Sequence, residues 1–504
     1  AKPNVLLICV DDLKPLLVHL DAERRDLAVI PECAPVPVGI AGDQVAQVEL
    51  IGPDAGARHH GHHLRRGQLG ELHVACGLEA LATGEAAVWE KLFPALLRLN
   101  QKEESFSQII GFARTPLTTR TFIKNLKSAY CGREEKNQFW QKVSYLSGSY
   151  SPEGISKLKP FIAKKPVLYY FALPVSPDFI IPLISGLKKE GLLKDKDKLI
   201  LEKPVGKNLK EAQEIIKFLK ATVCLKNVYF IDHYLGKTMV RNIIALRFAN
   251  PIFKSLWNNQ FLEKINIDIL EKEGIGRRGQ YYDQSGAIRD IVQNHGLQLL
   301  SLIGMDEPQS LEEKEFFKKR RKVLQKVRLL GGKFAGNVEI GQYQEYQKEP
   351  YIAPGSLTET YACLNLEINS PKMAGIPIKI TTGKKLARKK TVVEVYFKKD
   401  FTCSWQGQCD RLLSNRLTID IASPAISLRL NTRFKNNQAI PSPEKLKIKI
   451  GNDQEDPYQQ VLSDILANSQ FSFPQAEDIL SSWRFIDPLL AKINSQRKRI
   501  LKIY

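Results

Sequence analysis

The chain has 504 residues, with 74 Lys and Arg against 54 Asp and Glu, a formal net charge of +20. That length predicts two to four domains, the hydrophobic fraction of 43% is that of a globular core rather than a disordered chain, and no apolar run approaches the roughly 18 residues of a membrane span. Eight Cys are too sparse for a disulfide scaffold and fit a reducing cytoplasm, while the positive balance points to anionic partners: nucleic acid, an acidic membrane or phosphorylated small molecules.

Charge and composition change abruptly along the chain. Residues 1–90 hold 7 basic and 13 acidic residues, a net of −6, which leaves 67 and 41, a net of +26, for residues 91–504. The first part contains no Phe, Tyr or Ser, and six of the eight His; only His233 and His295 lie beyond it. Such a break reads as a junction of two sequence origins (a chimera, a frameshift or a gene-model error), with an unusual appended domain as the alternative. Residues 1–90 are therefore set apart from the expected domains 91–235 and 236–504.

Within the first part, Val5-Leu-Leu-Ile-Cys-Val10 reads as a buried parallel strand with Asp11-Asp12 at its carboxyl end. Lys2 to Pro15 resembles the opening strand of sulfatases, whose paired Asp residues bind Ca²⁺. The sulfatase nucleophile motif Cys-x-Pro-Ser-Arg is absent, because Cys33-Ala-Pro-Val-Pro37 lacks the Ser and the Arg. Sulfatase activity is not expected. His59-His60-Gly61-His62-His63 could hold a metal, but adjacent His in a Gly/Arg-rich stretch read better as an exposed loop, and no metal site is expected. Nor is a secretory signal, since the apolar start runs at once into Asp11-Asp12.

From Lys91 the patterns alternate. Helical stretches are expected at 91–101, 118–130, 176–191 and 208–220. Strands are expected at Ile109–Phe112, Val167–Ala172, Lys198–Leu201 and Val228–Ile231. This alternation predicts a parallel sheet with helices on both faces. Residues 336–450 become strand-rich, as in Thr391–Phe397, Leu417–Ile421 and Ala425–Leu430, and predict a large antiparallel sheet. The fold class is thus an α/β Rossmann-type domain followed by an α+β domain.

Three constellations carry chemistry. Leu201-Glu-Lys-Pro-Val-Gly206 follows a strand and precedes a helix, so Lys203 projects an ammonium at the carboxyl edge of the sheet. Ile231-Asp-His-Tyr-Leu-Gly-Lys237 packs an acid, an imidazole, a phenol and an ammonium into one short segment after another strand. In Gly286-Ala-Ile-Arg-Asp-Ile-Val-Gln-Asn-His-Gly296, α-helical spacing puts Asp290 and Asn294 on one face, with Ile288, Ile291, His295 and Leu299 on the adjoining stripe. Each could be an ordinary core or surface feature. Yet both His of residues 91–504 sit in such clusters, and a general base with an orienting carboxylate requires that kind of grouping.

These motifs, with Gly279-Gln-Tyr-Tyr-Asp283, Thr382-Gly-Lys-Lys-Leu386 and Ser482-Trp-Arg-Phe-Ile-Asp-Pro488, resemble the glucose-6-phosphate dehydrogenase family in order and approximate spacing over residues 91–504. The resemblance implies oxidation of glucose 6-phosphate at C1 to a lactone, with hydride passed to NADP, and a homodimer or homotetramer. It assigns His295 as the base and Asp232 as its orienting carboxylate. His233, Tyr234 and Lys237 would bind the sugar phosphate, Glu271 and Asp290 the sugar hydroxyls, and Lys384 and Lys389 would lie on the substrate side. Lys203 would bridge substrate and coenzyme, Lys91 would follow the dinucleotide turn, and Arg114 would meet the 2′-phosphate of NADP.

The dinucleotide turn departs from the family's Gly-x-x-Gly-Asp-Leu-x-x-Arg-Lys-Leu. In Ala80–Leu92 only Gly84 and Lys91 remain, one residue too far apart, and Leu72-His-Val-Ala-Cys76 is a poor strand before them. The first strand and phosphate turn are therefore expected to be missing or replaced. A coenzyme-deficient homologue that binds sugar phosphate without turnover is the alternative. Binding to nucleic acid or a membrane is not expected: aromatic and basic residues form no RNA-binding motif, and Lys318-Lys-Arg-Arg-Lys322 reads as a solvated helix face.

Overall fold

A computed structural model of the chain describes residues 4–8, 72–74, 86–103, 106–129, 137–162, 166–171, 175–399, 412–433, 442–450 and 456–504. Asp11-Asp12, Cys33–Pro37, the His59–His63 run and Gly84 lie outside the described residues. The four expected helices form as Ala86–Glu103 (α1), Thr119–Ala129 (α2), Pro177–Lys189 (α3) and Leu209–Thr222 (α4). The Asn208 side chain starts α4 by accepting from the Glu211 N–H, satisfying one of the four donors a helix start leaves open.

The parallel sheet uses Asn4–Ile8 (β1), Leu72–Val74 (β2), Phe106–Ala113 (β3), Val143–Ser147 (β4), Val167–Phe171 (β5), Lys198–Leu201 (β6) and Val228–Phe230 (β7). All five side chains of β5 are buried, as befits a strand covered on both faces. Across the sheet the order is β4, β3, then β2 with β1, then β5, β6 and β7, and every pairing is parallel. This is the doubly wound order, third-second-first-fourth-fifth-sixth. Strand β4 was not foreseen, since Val143-Ser-Tyr-Leu-Ser147 is only partly apolar.

Of the two outcomes expected for the first strand, missing or replaced, the structure shows replacement, and it makes a strand of Leu72–Val74, a poor candidate from sequence alone. The position is not left open: β2 fills the half beside Phe106–Ile109, and β1 continues beyond it, pairing Val5–Ile8 with Ile109–Phe112 and Asn4–Ile8 with Val167–Phe171. The physical reason lies in β3 and β5. Their facing edges are buried, and buried backbone N–H and C=O groups must find partners. The apolar run Val5–Ile8, read from the sequence as a buried parallel strand, and the weaker Leu72–Val74 supply them.

The second domain opens with Thr238–Phe248 (α5) and Leu262–Leu270 (β8). Then come Gly279–Ala287 (α6), Ile288–Gly296 (α7), Leu297–Gly304 (α8) and Glu313–Leu324 (α9). The large sheet follows, with ten strands among the described residues: β8, Val327–Leu329 (β9), Val338–Gln342 (β10), Tyr361–Ile368 (β11), Ile378–Gly383 (β12), Lys390–Phe397 (β13), Arg416–Asp420 (β14), Ala425–Arg433 (β15), Ser442–Lys449 (β16) and Leu501–Ile503 (β17). It is mostly antiparallel, as expected, but mixed: β8 pairs with β12 and β10 with β17 in parallel. Pro457–Leu466 (α10) and Ala476–Ile500 (α11) return the chain to the first domain. There the Trp483 indole N–H donates to Val205 O at 3.0 Å and the Leu209 N–H donates to Asp487 at 3.2 Å.

Two further expectations are corrected. Residues Ile288–Gly296 wind as a π-helix rather than an α-helix, which brings residues five apart closer to one face than an α-helix does. Asp290 and His295 line one cleft, whereas Asn294 lines a separate, smaller cavity. The Lys318–Lys322 run is not wholly solvated: Arg320 is fully buried, bonded to the Gln298 side chain and 3.7 Å from Asp478. The aliphatic stem of an arginine packs readily, and a buried carboxylate and amide receive its head.

Candidate active site

Three chain ends converge on one cleft. The Glu202–Gly206 turn after β6 presents Lys203, the segment after β7 presents His233, Tyr234 and Lys237, and the π-helix α7 presents Asp290, Ile291 and His295. From the large sheet come Glu271, just past β8, and Lys384 and Lys389, between β12 and β13. The cleft holds about 550 Å³, within the range of small-molecule sites.

The turn itself is held by both domains. Gly206 has φ +70°, a conformation side chains oppose, and a Cβ there would lie 2.6 Å from the Ala212 nitrogen. Its N–H donates to Val175 O at 2.7 Å, and the Arg289 side chain donates to Lys207 O at 3.2 Å.

At the centre, His295 Nδ1 lies 2.6 Å from Asp232 Oδ1, and both residues are 1% exposed. The same Asp232 oxygen accepts from the Tyr234 N–H at 2.9 Å. The Tyr234 ring stacks on the imidazole at 4.2 Å, and the His233 ring meets it edge-on at 4.5 Å. Burial pushes the His295 pKa below its ordinary value, against the opposing pull of Asp232. Burial alone would raise the Asp232 carboxyl, but the His295 ring and the Tyr234 N–H outweigh it and hold it below the usual carboxylate range. A neutral imidazole that donates through Nδ1 to a carboxylate keeps Nε2 as an acceptor, the state a general base needs.

Asp290 is a second hub. Its carboxylate pairs with Lys203 at 3.1 Å, Arg278 at 3.6 Å and Lys384 at 3.8 Å. Burial works against its charge, yet the three cations hold it well below the usual range. Lys203 is likewise raised: burial opposes its charge and Asp290 more than restores it. Lys384 also meets Glu271 at 2.6 Å. Lys237 lies over the Tyr234 ring at 3.9 Å, and burial pushes the Tyr234 phenol up to about 12. Lys389 stands at the rim, mostly exposed, 3.9 Å from Glu273.

The structure thus brings together every catalytic and substrate-side residue picked out from the sequence. Asn294 turns away: its amide donates to Arg289 O at 3.0 Å and it lines a smaller cavity behind the cleft. Sequence reasoning missed Arg278, Tyr281, Thr391 and Tyr458 on the cleft wall. A signal for the first two existed, since Arg278 abuts and Tyr281 belongs to the quoted Gly279–Asp283 motif. Gly279 fixes that motif's approach, because a Cβ there would fall 1.8 Å from Pro350 O.

Of the residues assigned to the coenzyme, Lys203 lines this cleft, whereas Arg114 and Lys91 are not among its lining residues. Arg114 is exposed directly after β3 and its guanidinium lies over the Tyr150 ring at 6.0 Å. Because β3 and β6 run parallel in one sheet, Arg114 and Lys203 stand on the same carboxyl edge, where doubly wound folds bind dinucleotides. Lys91 lies within α1. A guanidinium and an ammonium on that edge suit a ligand carrying several phosphates. Among the described residues, no group of three or more His, Cys, Asp or Glu could hold a metal ion.

Comparison with known proteins gives the same answer from both halves. Residues 82–242 match the glucose-6-phosphate dehydrogenase NAD binding domain and residues 244–504 match the C-terminal domain of that family. The chain is 31% identical over 451 residues to glucose-6-phosphate 1-dehydrogenase of Chlamydia muridarum, covering 81% of this chain and 88% of the relative. It is 32% identical over 438 residues to that of Streptococcus pneumoniae, covering 81% and 87%. A solved glucose-6-phosphate dehydrogenase in complex with its substrate glucose 6-phosphate superimposes with a TM-score of 0.75 at 26% identity, over 85% of this chain and 93% of that one. The Mycobacterium avium enzyme gives 0.74 at 28% identity, over 83% and 91%. With both domain models matched in order and the His295–Asp232 pair at the domain boundary, the chain belongs to the glucose-6-phosphate dehydrogenase family.

Proposed function

We propose that the chain oxidises C1 of glucose 6-phosphate to 6-phosphoglucono-1,5-lactone with NADP as hydride acceptor. The observation that carries this reading is the buried His295–Asp232 pair opening on a cleft lined with Lys203, Lys237 and Lys384. NADP, when bound, supplies the acceptor for the hydride that leaves C1.

The chain's own residues do the rest. His295 Nε2 takes the C1 hydroxyl proton while Asp232 holds Nδ1–H and stabilises the imidazolium. His233, Tyr234 and Lys237 bind the phosphate dianion with charge-assisted bonds. Glu271 and Asp290 receive sugar hydroxyls, and Asp290 also sets the position of Lys203, Arg278 and Lys384. Lys203 stands between sugar and coenzyme. Arg114 would meet the 2′-phosphate and Lys91 and Gly84 would lie beside the pyrophosphate. The same reading divides the chain into an N-terminal segment 1–90, a coenzyme domain 91–235 and a substrate domain 236–504.

A homodimer or homotetramer belongs to this proposal: β16 exposes Leu446 and Ile448, and sedimentation measures the state. A cytoplasmic site of action belongs to it too; no helix among the described residues is long and apolar enough to cross a membrane. The altered turn around Gly84 favours one second reading, a homologue that binds sugar phosphate without turnover. Following absorbance at the reduced nicotinamide band with glucose 6-phosphate and NADP, beside substrate binding without coenzyme, separates the two. Turnover supports oxidation; binding with no turnover supports the second reading.

A further inference from the structure

Behind the His295–Asp232 pair, on the side away from the cleft, lies a cavity of about 30 Å³. Its polar lining includes Asp232, Asn294, Gln298 and Ser482. Two of these groups are unsatisfied: Asp232 Oδ2 and Ser482 Oγ have no hydrogen-bond partner among the described residues, and each residue is 1% exposed. A buried carboxylate oxygen and a buried hydroxyl rarely go without partners, and a water between them is the common solution. Roughly 10–15 Å³ suffices for one water, so the cavity has room for it, and its walls offer the polar partners a buried water needs.

We infer that Ser482 is a positioning residue for the base, its hydroxyl reaching Asp232 Oδ2 through a water held in this cavity. The Asp232 carboxylate is then held from both ends, Oδ1 by His295 and the Tyr234 N–H, Oδ2 by the water. Its plane, and with it the imidazole, is fixed. Ser482 lies on α11 next to Trp483, whose indole N–H bonds Val205 O in the Glu202–Gly206 turn, so the last long helix of the second domain meets the turn and also lines the cavity behind Asp232. The inference rests on His295 acting as the base.

The charged and titratable groups facing Asp232 are His295 on α7, Glu202 and Lys203 on the turn after β6, Tyr234 on its own segment and Arg320 on α9. From α11 the cavity receives Ile479 and Ser482, neither of them charged. Removing the hydroxyl therefore changes one hydrogen bond on Asp232 and no neighbouring charge. With that donor gone, the carboxylate's negative charge is less shared, and the imidazolium beside it is favoured.

The test is the pH dependence of kcat/KM for Ser482→Ala, Ser482→Thr and His295→Asn beside the unaltered enzyme. Ser482→Ala is expected to move the acid limb upward by about half a pH unit and lower kcat about threefold to tenfold, with the KM for glucose 6-phosphate unchanged. Ser482→Thr, which keeps the hydroxyl, is expected to retain the original limb. An acid limb in Ser482→Ala that superimposes on the unaltered enzyme overturns the inference, as does a Thr variant shifted as far as Ala. If the Thr variant does not fold, Ser482→Ala alone decides. Retained turnover in His295→Asn removes the base itself, and the inference with it; loss there with no shift in Ser482→Ala removes only the role of Ser482.

Discussion

His295 is held in three directions: Asp232 fixes Nδ1, Tyr234 covers one face and His233 meets the edge. Its burial has a pH consequence. The folded pKa is depressed, so the neutral ring predominates at neutral pH. As pH falls through that pKa the base is lost. The acid limb of kcat/KM is therefore expected below the ordinary His value of about 6.5, and Asp232→Asn, which removes the opposing pull, is expected to move it lower still. A limb above that value in the unaltered enzyme contradicts the assignment. The same depression contributes stability that is present above the unfolded pKa and lost as pH falls toward the folded one. At this scale much was legible, because rarity helped. Residues 91–504 contain two His, both in dense polar clusters, and the fold puts their rings in contact. Arg278 was legible only by its place beside the Gly279–Asp283 motif; nothing local says that it will face Asp290, a carboxylate twelve residues on.

At the scale of elements, the π-helix is the device that builds the site. In an α-helix, residues five apart point in different directions. The wider π turn brings Asp290 and His295 to one face, so a single element presents both the cation hub and the base. π turns recur at functional sites. Nothing in Gly286–Gly296 announces it, since apolar spacing cannot separate 3.6 from wider windings over so short a run, and Asn294 was misplaced accordingly. The Glu202–Gly206 turn was easier to read, its strand before and helix after being plain. Its Gly206 is required by conformation as well as space. Gly206→Ala is expected to cost about 1–3 kcal/mol and to weaken activity by displacing Lys203; thermal unfolding and kcat/KM check this together. An unchanged melting temperature with unchanged activity contradicts it.

Across the whole molecule, the second domain is built into the first domain's active edge. From α11 come the Trp483 bond to Val205 O, the Asp487 contact at the start of α4 and the buried Asp478–Arg320 pair, which continues through Gln298 to the cavity behind Asp232. The general architecture was legible from alternating elements followed by a strand-rich region. The strand character of Val5–Ile8 was legible too, but its place in the first-strand position was not, nor was β2, where local propensity is weak and the demand comes from the partner edges of β3 and β5. The charge break keeps its meaning: the net +26 of residues 91–504 includes the lysines of a cleft suited to a phosphorylated substrate. His295 acting as base in this cleft is what the proposed oxidation of a sugar phosphate depends on. The most direct measurement is turnover of glucose 6-phosphate with NADP by the unaltered chain and by His295→Asn, with substrate binding followed in both. Turnover is expected in the first, a loss of about 10²–10⁴-fold in the second and comparable binding in both; near-normal turnover by His295→Asn would rule out His295 as the base.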